Sequence, residues 1–513
     1  MTIGRRTLGK GLAAAGGLAI PGLIGGEAQA QRAQDTLRLV FRDAVPNIDP
    51  YFNSQRTGLI LGHQAWDGLV HRDPETFRVV PAMATEWNWV NPLLLEFTLR
   101  QGVKFHDGSP FTAKDAVYTL NTVSNPETRV ATPSNYAWIE RAEADGDFKL
   151  RIHLKRPTPA ALDYLALVTP IWPQAYRERV GVEGYSRAPM GAGPYKITKF
   201  DVATGVEYER FDDYYEGGPK GKPAIRRITV RFVTDAATEL TELLAQRVDW
   251  IWNMNPDQVP NVNRIPFLQT LRQESMRIGY LSLDAAGRSG DTPMKNLKVR
   301  QAVWHAIDRQ TIAERLVTGG SRVPVAPCYP SQFGCNADAA VQYDYNPEKA
   351  KQLLAEAGFP NGFDIELTSY VQPRQWSEAV QSYLQAVGIR ARLNLLQVAA
   401  QIQRAWRGEL AMSMGSWGSY SINDVSAILP NFFGDTNDDY ARDPELQRLL
   451  VEGGSSADEA VRNAAYSAAI KRITEQAYWV PLHTYVNTYA FARQLDFKAF
   501  PDELPRFYLA KWK

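Results

Sequence analysis

Two patterns of hydrophobic and polar residues alternate along the chain. Some short segments are apolar at every second position, as in Lys149–Leu154 and Phe363–Ser369, which is typical of strands with one buried face. Longer segments carry apolar residues three and four positions apart, as in Lys298–Val317 and Ala457–Gln476, which is typical of helices packed on one side. Ser456 and Glu459 predict a capping box at the start of the second of these helices. Strands and helices follow one another repeatedly, so the sequence predicts an α/β protein with mixed sheets.

A segment near position 100 combines three local signals. An apolar run at Leu93–Arg100 passes into alternation and predicts a strand, and Val103–His106 predicts a second short strand before a Gly- and Pro-containing turn. Thr112 then stands three residues before Asp115, in a capping-box-like arrangement that predicts the start of a helix. His106 and Asp107 stand where this turn begins.

The amino-acid sequence of this segment resembles that of a known family. LRQGVKFHDGSPFTAKDAVYTLN, from Leu99 to Asn121, is similar to the signature of the periplasmic solute-binding proteins of peptide-type ABC transporters, which include dipeptide, oligopeptide and nickel binders. The resemblance continues in IDPYFNSQRTGLILGHQAWDGLV, in MGAGPY at Met190–Tyr195, and in VRQAVWHAID ending at Asp308. These words stand in the family's order, and the resemblance covers essentially the whole chain after the amino-terminal segment.

The resemblance implies a two-lobed periplasmic binding protein fold with an extra domain, mixed sheets and a ligand cleft between the lobes. The lobes of such proteins close around the ligand by hinge motion. Domain I is expected to be discontinuous, domain II to be inserted into it, and domain III to follow. The expected boundaries are 31–76, 188–276 and 478–513 for domain I, 77–187 for domain II, and 277–477 for domain III.

The resemblance also implies a function. The protein is expected to be the substrate-binding component of an ABC importer, a monomer without a cofactor that captures a small peptide or peptide-like organic solute for the membrane permease subunits. A metal-chelate carrier of the nickel type is the alternative. An exported enzyme is a third hypothesis, although the sequence has no zinc-protease, serine-hydrolase, nucleotide-loop or dinucleotide-binding motif, and its six histidines are scattered.

The amino terminus has the organisation of an export signal. Arg5, Arg6 and Lys10 precede a mildly apolar, Gly- and Ala-rich stretch, and small residues at 28–30 form a cleavage site. Paired arginines favour the twin-arginine route, with an ordinary secretory signal as the alternative. Removing residues 1–30 changes the formal net charge from +1 to −1, which argues against nucleic acid as a partner. The expected location is the periplasm.

The chain has two cysteines, Cys328 and Cys335, in the segment CYPSQFGC. In an oxidising compartment two cysteines at this spacing are expected to form a local disulfide. A two-cysteine metal site is the alternative, but it is disfavoured because no histidine lies within ordinary zinc-site spacing of the pair.

The first candidate site is the loop Trp417–Asp424. In peptide-binding relatives an Asp that follows a Trp in this loop pairs with the ligand's amino group. Here Tyr420 takes that position, and Asn423 and Asp424 come three and four residues later. The ligand-binding residues expected in this loop are Trp417, Tyr420, Asn423 and Asp424, and the departure from the family pattern weakens the case for a plain peptide.

Three further residues are candidates for the ligand site. Arg374 stands in a strand-to-helix loop and could pair with a ligand carboxylate, as an Arg nearby does in relatives. Arg56 belongs to a loop that runs toward the cleft in relatives, and Trp252 is a possible aromatic wall. Each of the three also has a structural explanation, with Arg374 as a solvated surface residue. The chain has 13 Trp, which suits an enclosed site but equally suits large cores.

Overall fold

The computed structural model describes residues 35–371 and 373–513, so the expected export segment 1–30 lies outside the described residues. The strands are β1 Thr36–Phe41, β2 Val70–Arg72, β3 Val79–Pro81, β4 Ala84–Asn91, β5 Leu94–Leu99, β6 Ile139–Ala144, β7 Lys149–Leu154, β8 Tyr195–Asp201, β9 Gly205–Arg210, β10 Arg227–Phe232, β11 Trp250–Ile251, β12 Leu268–Leu283, β13 Phe363–Ser369, β14 Ile389–Leu395, β15 Met412–Trp417, β16 Trp479–Ala492, β17 Leu495–Asp496 and β18 Lys511–Trp512.

The helices of the described ranges are mostly short. They are α1 Arg56–Ala65, α2 Ala113–Ser124, α3 Ala161–Leu167, α4 Gln174–Arg187, α5 Ala236–Leu244, α6 Val259–Asn263, α7 Leu297–Ala306, α8 Arg309–Thr311, α9 Pro347–Glu356, α10 Gln375–Ala386, α11 Val398–Trp406, α12 Leu429–Phe433, α13 Pro444–Ser455 and α14 Glu459–Glu475. None of them is long and apolar enough to cross a bilayer.

A ten-stranded mixed sheet runs through the molecule in the order β14-β13-β15-β12-β16-β11-β1-β10-β9-β8. The long strands β12 and β16 pair antiparallel near its middle, while β1 and β10 are parallel, as are β13 and β14. A separate antiparallel sheet, β4-β5-β7-β6, forms within residues 77–187. The prediction of an α/β fold with mixed sheets is confirmed.

The hydrophobic side chains divide into separate cores. One large core combines residues of β1, α1, the four-stranded sheet and the carboxyl-terminal segment after position 488. Two others are built almost entirely from residues 276–482. Burying apolar surface in separate cores leaves a boundary between packing units, and ligand sites occur preferentially at such boundaries.

The segment that carries the family resemblance positions helix α1. The His106 ring hydrogen-bonds to the carbonyl oxygen of Gly193 at 3.0 Å and to the backbone N–H of Gly191 at 3.3 Å. A Cβ on Gly193 would lie 2.5 Å from the carbonyl carbon of Ala65, the last residue of α1. The turn therefore needs glycine to pack against the end of this helix, and His106 serves structure in this place.

Two predictions of secondary structure are wrong, one for a strand beside this turn and one for a helix later in the chain. Val103–His106 is not a strand, because only Lys104 makes an isolated bridge, to Pro110. The helix predicted over Lys298–Val317 ends at Ala306, and the Asp308 side chain accepts a hydrogen bond from the Thr311 backbone to start a new helix. Asp competes with the helical backbone for hydrogen bonds, and here that competition ends the helix.

The helix caps give one confirmed and one wrong prediction. Thr112 and Asp115 form the capping box that begins α2. The box predicted from Ser456 to Glu459 does not form, because α14 begins one residue after Asp458, whose carboxylate accepts the N–H groups of Ala460 and Val461. Ser456 instead terminates the preceding helix, α13, which the sequence analysis did not predict.

Candidate solute-binding site

A cavity of about 350 Å³ opens between the elements of the large core and those of the 276–482 region. Its walls come from the turn before α1, from α1 itself, from residues 166–170, from Arg277 within β12, and from the end of β15. Its apolar lining residues include Leu59, Val70, Val168, Val398 and Ile402. The volume lies within the range of small-molecule pockets, roughly 300–1,000 Å³.

Two arginines of the cavity wall share one buried glutamate. Arg277, on β12, directs Nε and Nη2 at the two carboxylate oxygens of Glu503, at 3.1 and 3.0 Å. Arg56, the first residue of α1, places Nη2 3.3 Å from Oε2 of the same carboxylate. Burial alone would raise the pKa of Glu503, but the two guanidinium groups hold that pKa below its ordinary value. Glu503 is therefore ionised, and the trio keeps one positive charge.

A second, fully buried cluster lies beside this trio. The Asp502 carboxylate pairs with Arg72 at 3.0 Å and with Arg506 at 2.6 Å. Asp163 lies 4.0 Å from Arg72, and burial raises its pKa to about 6. With Asp163 ionised, the two clusters together still hold one more cation than anion, and the arginines of the cavity wall are more exposed than Arg72 and Arg506.

The loop between Trp417 and Asp424 has an unusual backbone. Ser419, Tyr420 and Ser421 have φ of 51°, 49° and 64°, which is the left-handed region that residues other than glycine rarely occupy. Each such residue costs of order 1–3 kcal/mol, so surrounding contacts must hold the turn. Arg56 Nη1 donates to the Ser421 hydroxyl at 2.7 Å, and Arg72 donates to the Ser421 carbonyl. The arginine clusters thus fix the shape of this loop.

Three of the residues predicted from the sequence line the cavity: Arg56, Trp417 and Tyr420. The Trp417 and Tyr420 rings meet edge to face with centroids 5.0 Å apart, and the Trp417 indole donates to the Ala427 carbonyl at 3.1 Å. Burial raises the pKa of Tyr420, so its hydroxyl stays neutral. The loop therefore offers the cavity aromatic surface and a neutral hydroxyl.

Asn423 and Asp424 are not among the residues lining the cavity. Asp424 pairs with Arg462 at 2.6 Å, and each side chain is only 6% exposed. Its carboxylate also accepts the Ser426 N–H and so caps a short turn. The Asn423 carbonyl accepts the N–H of Phe333. Both residues are tied into the protein interior at the far end of the loop.

Trp252 and Arg374 also lie outside the cavity wall. Trp252 is 5% exposed and packs edge to face on Phe41, with ring centroids 5.6 Å apart, as part of the large core. Arg374 precedes helix α10, and its side chain is 64% exposed and paired with Glu378 at 2.6 Å. A guanidinium one helical turn from a carboxylate on a solvated surface finds its partner there.

Four residues in or beside the cavity wall were not predicted from the sequence: Arg277, Glu503, Val398 and Ile402. A charged residue inside the apolar strand segment MRIGYLSL was the available signal for Arg277. Val398 and Ile402 recur at a helical spacing of four in a segment to which no helix was assigned. Glu503 had no signal, because it lies in the carboxyl-terminal segment and meets the arginines only in the folded chain.

The predicted disulfide is confirmed. Cys328 and Cys335 are bonded, with their Cα atoms 5.9 Å apart. The loop that they close supports the end of the cavity loop: Phe333 and Asp424 form a β-bridge, and Gln332 donates to the Ile422 carbonyl at 2.9 Å.

Comparison with known proteins agrees with this architecture. Residues 78–440 match the middle region of the bacterial extracellular solute-binding proteins, family 5. Heme-binding protein A of Haemophilus influenzae is 25% identical over 453 residues, which cover 82% of this chain and 81% of that protein. The glutathione-binding protein GsiB of Pectobacterium atrosepticum is 25% identical over 482 residues, with coverage of 89% and 90%.

Solved structures show the same fold. HbpA2 from Haemophilus parasuis has a TM-score of 0.78 at 25% identity, covering 93% of this chain and all of that one. The periplasmic binding protein DppA from Helicobacter pylori, solved with the peptide STSA, has a TM-score of 0.79 at 22% identity and covers 94% of this chain and 99% of its own. The family match spans more than half of the chain, and the predicted two-lobed fold is confirmed. The protein belongs to family 5 of the bacterial extracellular solute-binding proteins.

Proposed function

We propose that the protein is the periplasmic substrate-binding component of an ABC importer and that it captures a small peptide or peptide-like organic solute. The observation that carries the proposal is the 350 Å³ cavity between the packing units of a family 5 chain, walled by Arg56, Arg277, Trp417 and Tyr420. Relatives are named for binding heme, glutathione, and di- and tripeptides. A cavity with aromatic walls and a few fixed charges suits solutes of that size.

The same relatives favour binding over catalysis, because each is named as a binding protein. Asp67, at the cavity wall, accepts the hydroxyls of Tyr214 and Tyr215 at 2.8 and 2.7 Å and pairs with Lys220 at 2.7 Å. The protein's own side chains therefore already occupy this carboxylate, the acidic group of the cavity wall in the described ranges. Capture and release of an unchanged solute fits this wall.

Export is proposed to use the segment 1–30 through the twin-arginine route. Changing Arg5 and Arg6 to Lys keeps the charge but removes the paired arginines. We expect the precursor to remain in the cytoplasm, as measured by fractionation and immunoblotting. Periplasmic accumulation equal to that of the unchanged chain would assign export to the general secretory route instead.

A ligand screen tests the function. The melting temperature of the mature protein would be measured with free peptides, opines, sugars and metal chelates, and each mixture would then be analysed by mass spectrometry. We expect one class of organic solute to raise the melting temperature and to be recovered unchanged. A response that requires a metal would support the nickel-type carrier, and conversion of the solute would support an exported enzyme.

Two follow-up measurements place the solute in the cavity and in the transport pathway. Trp417→Ala should weaken binding at least about tenfold, which is roughly 1.4 kcal/mol, because it removes an aromatic wall. Cells that lack the gene should lose uptake of the same solute and regain it when the gene is restored. Uptake that does not depend on the gene would contradict the importer role.

A further inference from the structure

We propose that the cavity selects organic acids: the solute's carboxylate binds Arg56 and Arg277, its apolar body lies on Val398 and Ile402, and it needs no free amino group. The inference rests on the proposed function, since it assumes that this cavity holds the imported solute. It narrows the proposed solutes to compounds that carry a carboxylate and need no free amino group. Peptide-binding relatives, in contrast, pair an Asp with the ligand's amino group.

The first support is the supply of hydrogen-bond donors. A guanidinium has five N–H groups. Within the described ranges, Arg277 directs three of them at protein acceptors, two at Glu503 and one at the Ser416 hydroxyl at 3.3 Å. Arg56 directs one at Ser421, and its Nη2 lies 3.3 Å from Glu503 Oε2. Both arginines line the cavity, so their remaining N–H groups are available to a bound acceptor, and a carboxylate matches two parallel guanidinium donors.

The second support is the balance of charge. Arg56, Arg277 and Glu503 carry a net charge of +1, and the neighbouring buried cluster around Asp502 does not supply a spare anion, because that carboxylate already pairs with Arg72 and Arg506. An uncompensated charge in a poorly solvated place is costly. An anionic solute that enters the cavity supplies the missing charge.

The third support is that the part of the cavity wall that the structure describes offers no unpaired carboxylate to a ligand ammonium. Among the described residues, Asp67 is the only acidic side chain that lines the cavity, and it already has Tyr214, Tyr215 and Lys220 as partners. At the loop position where peptide-binding relatives carry an amine-binding Asp, this chain has the neutral Tyr420. A cationic group in this cavity would meet two arginines and find no free anion.

The fourth support is an apolar stripe beside the charged wall. Val398, Ile402 and Trp406 follow at intervals of four on helix α11, so they share one face, and they are 49%, 38% and 52% exposed. Val398 and Ile402 line the cavity. An exposed apolar surface that borders a charged cavity suits the apolar part of an amphipathic solute.

Matched acid and amide pairs test the proposal. Titration calorimetry would compare N-acetyl dipeptides, N-acylated amino acids, and aliphatic and aromatic carboxylic acids with their primary amides, and would compare the free dipeptides with their N-acetyl forms. We expect at least one acid to bind, its amide to bind at least 100-fold more weakly, and N-acetylation of the corresponding dipeptide to change affinity less than threefold.

Other results overturn the proposal. An amide that binds as tightly as its acid, a requirement for the free amino group, or no binding by any acid in the set would each do so. Binding of amides, free-amine peptides or sugars would leave the proposed solute-binding function standing, whereas no binding by any compound of either panel would count against both proposals.

Variants locate the contacts. Arg56→Met and Arg277→Met each leave Glu503 with one arginine, so each should fold, as checked by circular dichroism. For an acid that binds the wild type, we expect each variant to lower the affinity at least 30-fold. The affinity for the corresponding amide should change less than threefold, a difference that a merely structural role would not produce. Ile402→Ser should lower the affinity for an acid with a long apolar chain at least threefold more than the affinity for an acid with a short one. Equal losses for acid and amide would overturn the assignment even if one variant failed to fold.

Discussion

The two ends of the Trp417–Asp424 loop differ in the net charge of the side chains around them. At its beginning, Gly418 lies against Arg56, Arg277 and Glu503, where two cations share one anion beside the cavity. At its end, Asp424 and Arg462 form a buried pair of one cation and one anion. A matched pair, with one cation and one anion, has no net charge to attract a ligand. The mismatched trio, with two cations and one anion, has a net positive charge at the cavity wall.

This difference explains why Asp424, which was predicted to bind the ligand, does not line the cavity. Asp424 follows Tyr420 by only four positions, and its charge made it the natural candidate for a ligand contact. A left-handed turn at Ser419, Tyr420 and Ser421 precedes Asp424, and the Asp424 carboxylate pairs with Arg462 in the interior. The identity of a residue's charge is visible in the sequence, but its partner is not.

The largest expected effect comes from breaking the matched pair. Asp424→Asn leaves the Arg462 guanidinium buried without its anion, so we expect the free energy of unfolding to fall by about 3–5 kcal/mol. Urea denaturation, monitored by tryptophan fluorescence, measures this free energy.

The double variant Asp424→Leu with Arg462→Leu is the control for this prediction. Replacing both partners by apolar groups removes the uncompensated charge, so it should cost less than Asp424→Asn alone. A double variant that is at least as destabilised as the single one would show that the pair does not act as a matched unit.

The next effect concerns the support of the same end of the loop. Replacing Cys328 and Cys335 by Ser opens a short loop, and loop-closure entropy predicts a loss of about 2.5 kcal/mol in the free energy of unfolding. Solute affinity should stay within twofold, because the segment touches Ile422 and Asp424 and not the cavity. Chemical denaturation and calorimetry on the reduced and oxidised wild-type protein provide the matched comparison. A tenfold loss of affinity would mean that the two ends of the loop are coupled.

The sequence predicted what depends on local pattern. The strands Lys149–Leu154 and Phe363–Ser369, the capping box at Thr112 and the disulfide all follow from residues close together in the chain. The family resemblance also led us to expect Arg56, Trp417 and Tyr420 at the ligand, and these three residues line the cavity.

The sequence could not predict what depends on distant partners. Arg277 and Glu503 are 226 positions apart, and Arg56 and Ser421 are 365 apart, so only the folded chain brings them together. Ile307 interrupts a pattern that is helical on both sides, because Asp308 offers a cap that helical periodicity does not register. In both cases the deciding interaction is a specific hydrogen bond, not a hydrophobic pattern.

A smaller effect is expected at the beginning of the loop. A Cβ on Gly418 would lie 3.2 Å from Arg56 Nη2 and 3.3 Å from both Arg277 Nη2 and Glu503 Oε2. These atoms must shift to admit it, so Gly418→Ala should weaken binding of a carboxylate solute about tenfold, or roughly 1.4 kcal/mol, by calorimetry. Gly454→Ala is a matched control, because its Cβ would meet only the Tyr466 hydroxyl at 3.9 Å. Equal affinities for the two variants would mean that the arginine pair tolerates displacement or does not contact the solute.

The smallest effect is expected at Arg374, which the sequence placed at the ligand and the structure leaves outside the cavity wall. Its guanidinium is exposed and paired with Glu378 one helical turn away, and such surface pairs contribute about 0.3–0.5 kcal/mol. Arg374→Ala should therefore leave both the melting temperature and the solute affinity close to those of the wild type, with affinity changed less than twofold in calorimetry. Arg277→Met, measured with the same solute, is the paired variant because it removes a guanidinium of the cavity wall. A tenfold loss for Arg374→Ala together with an unchanged Arg277→Met would move the ligand to the strand-to-helix loop that carries Arg374. The opposite pattern would establish that the mismatched trio at Glu503 is where this protein recognises charge.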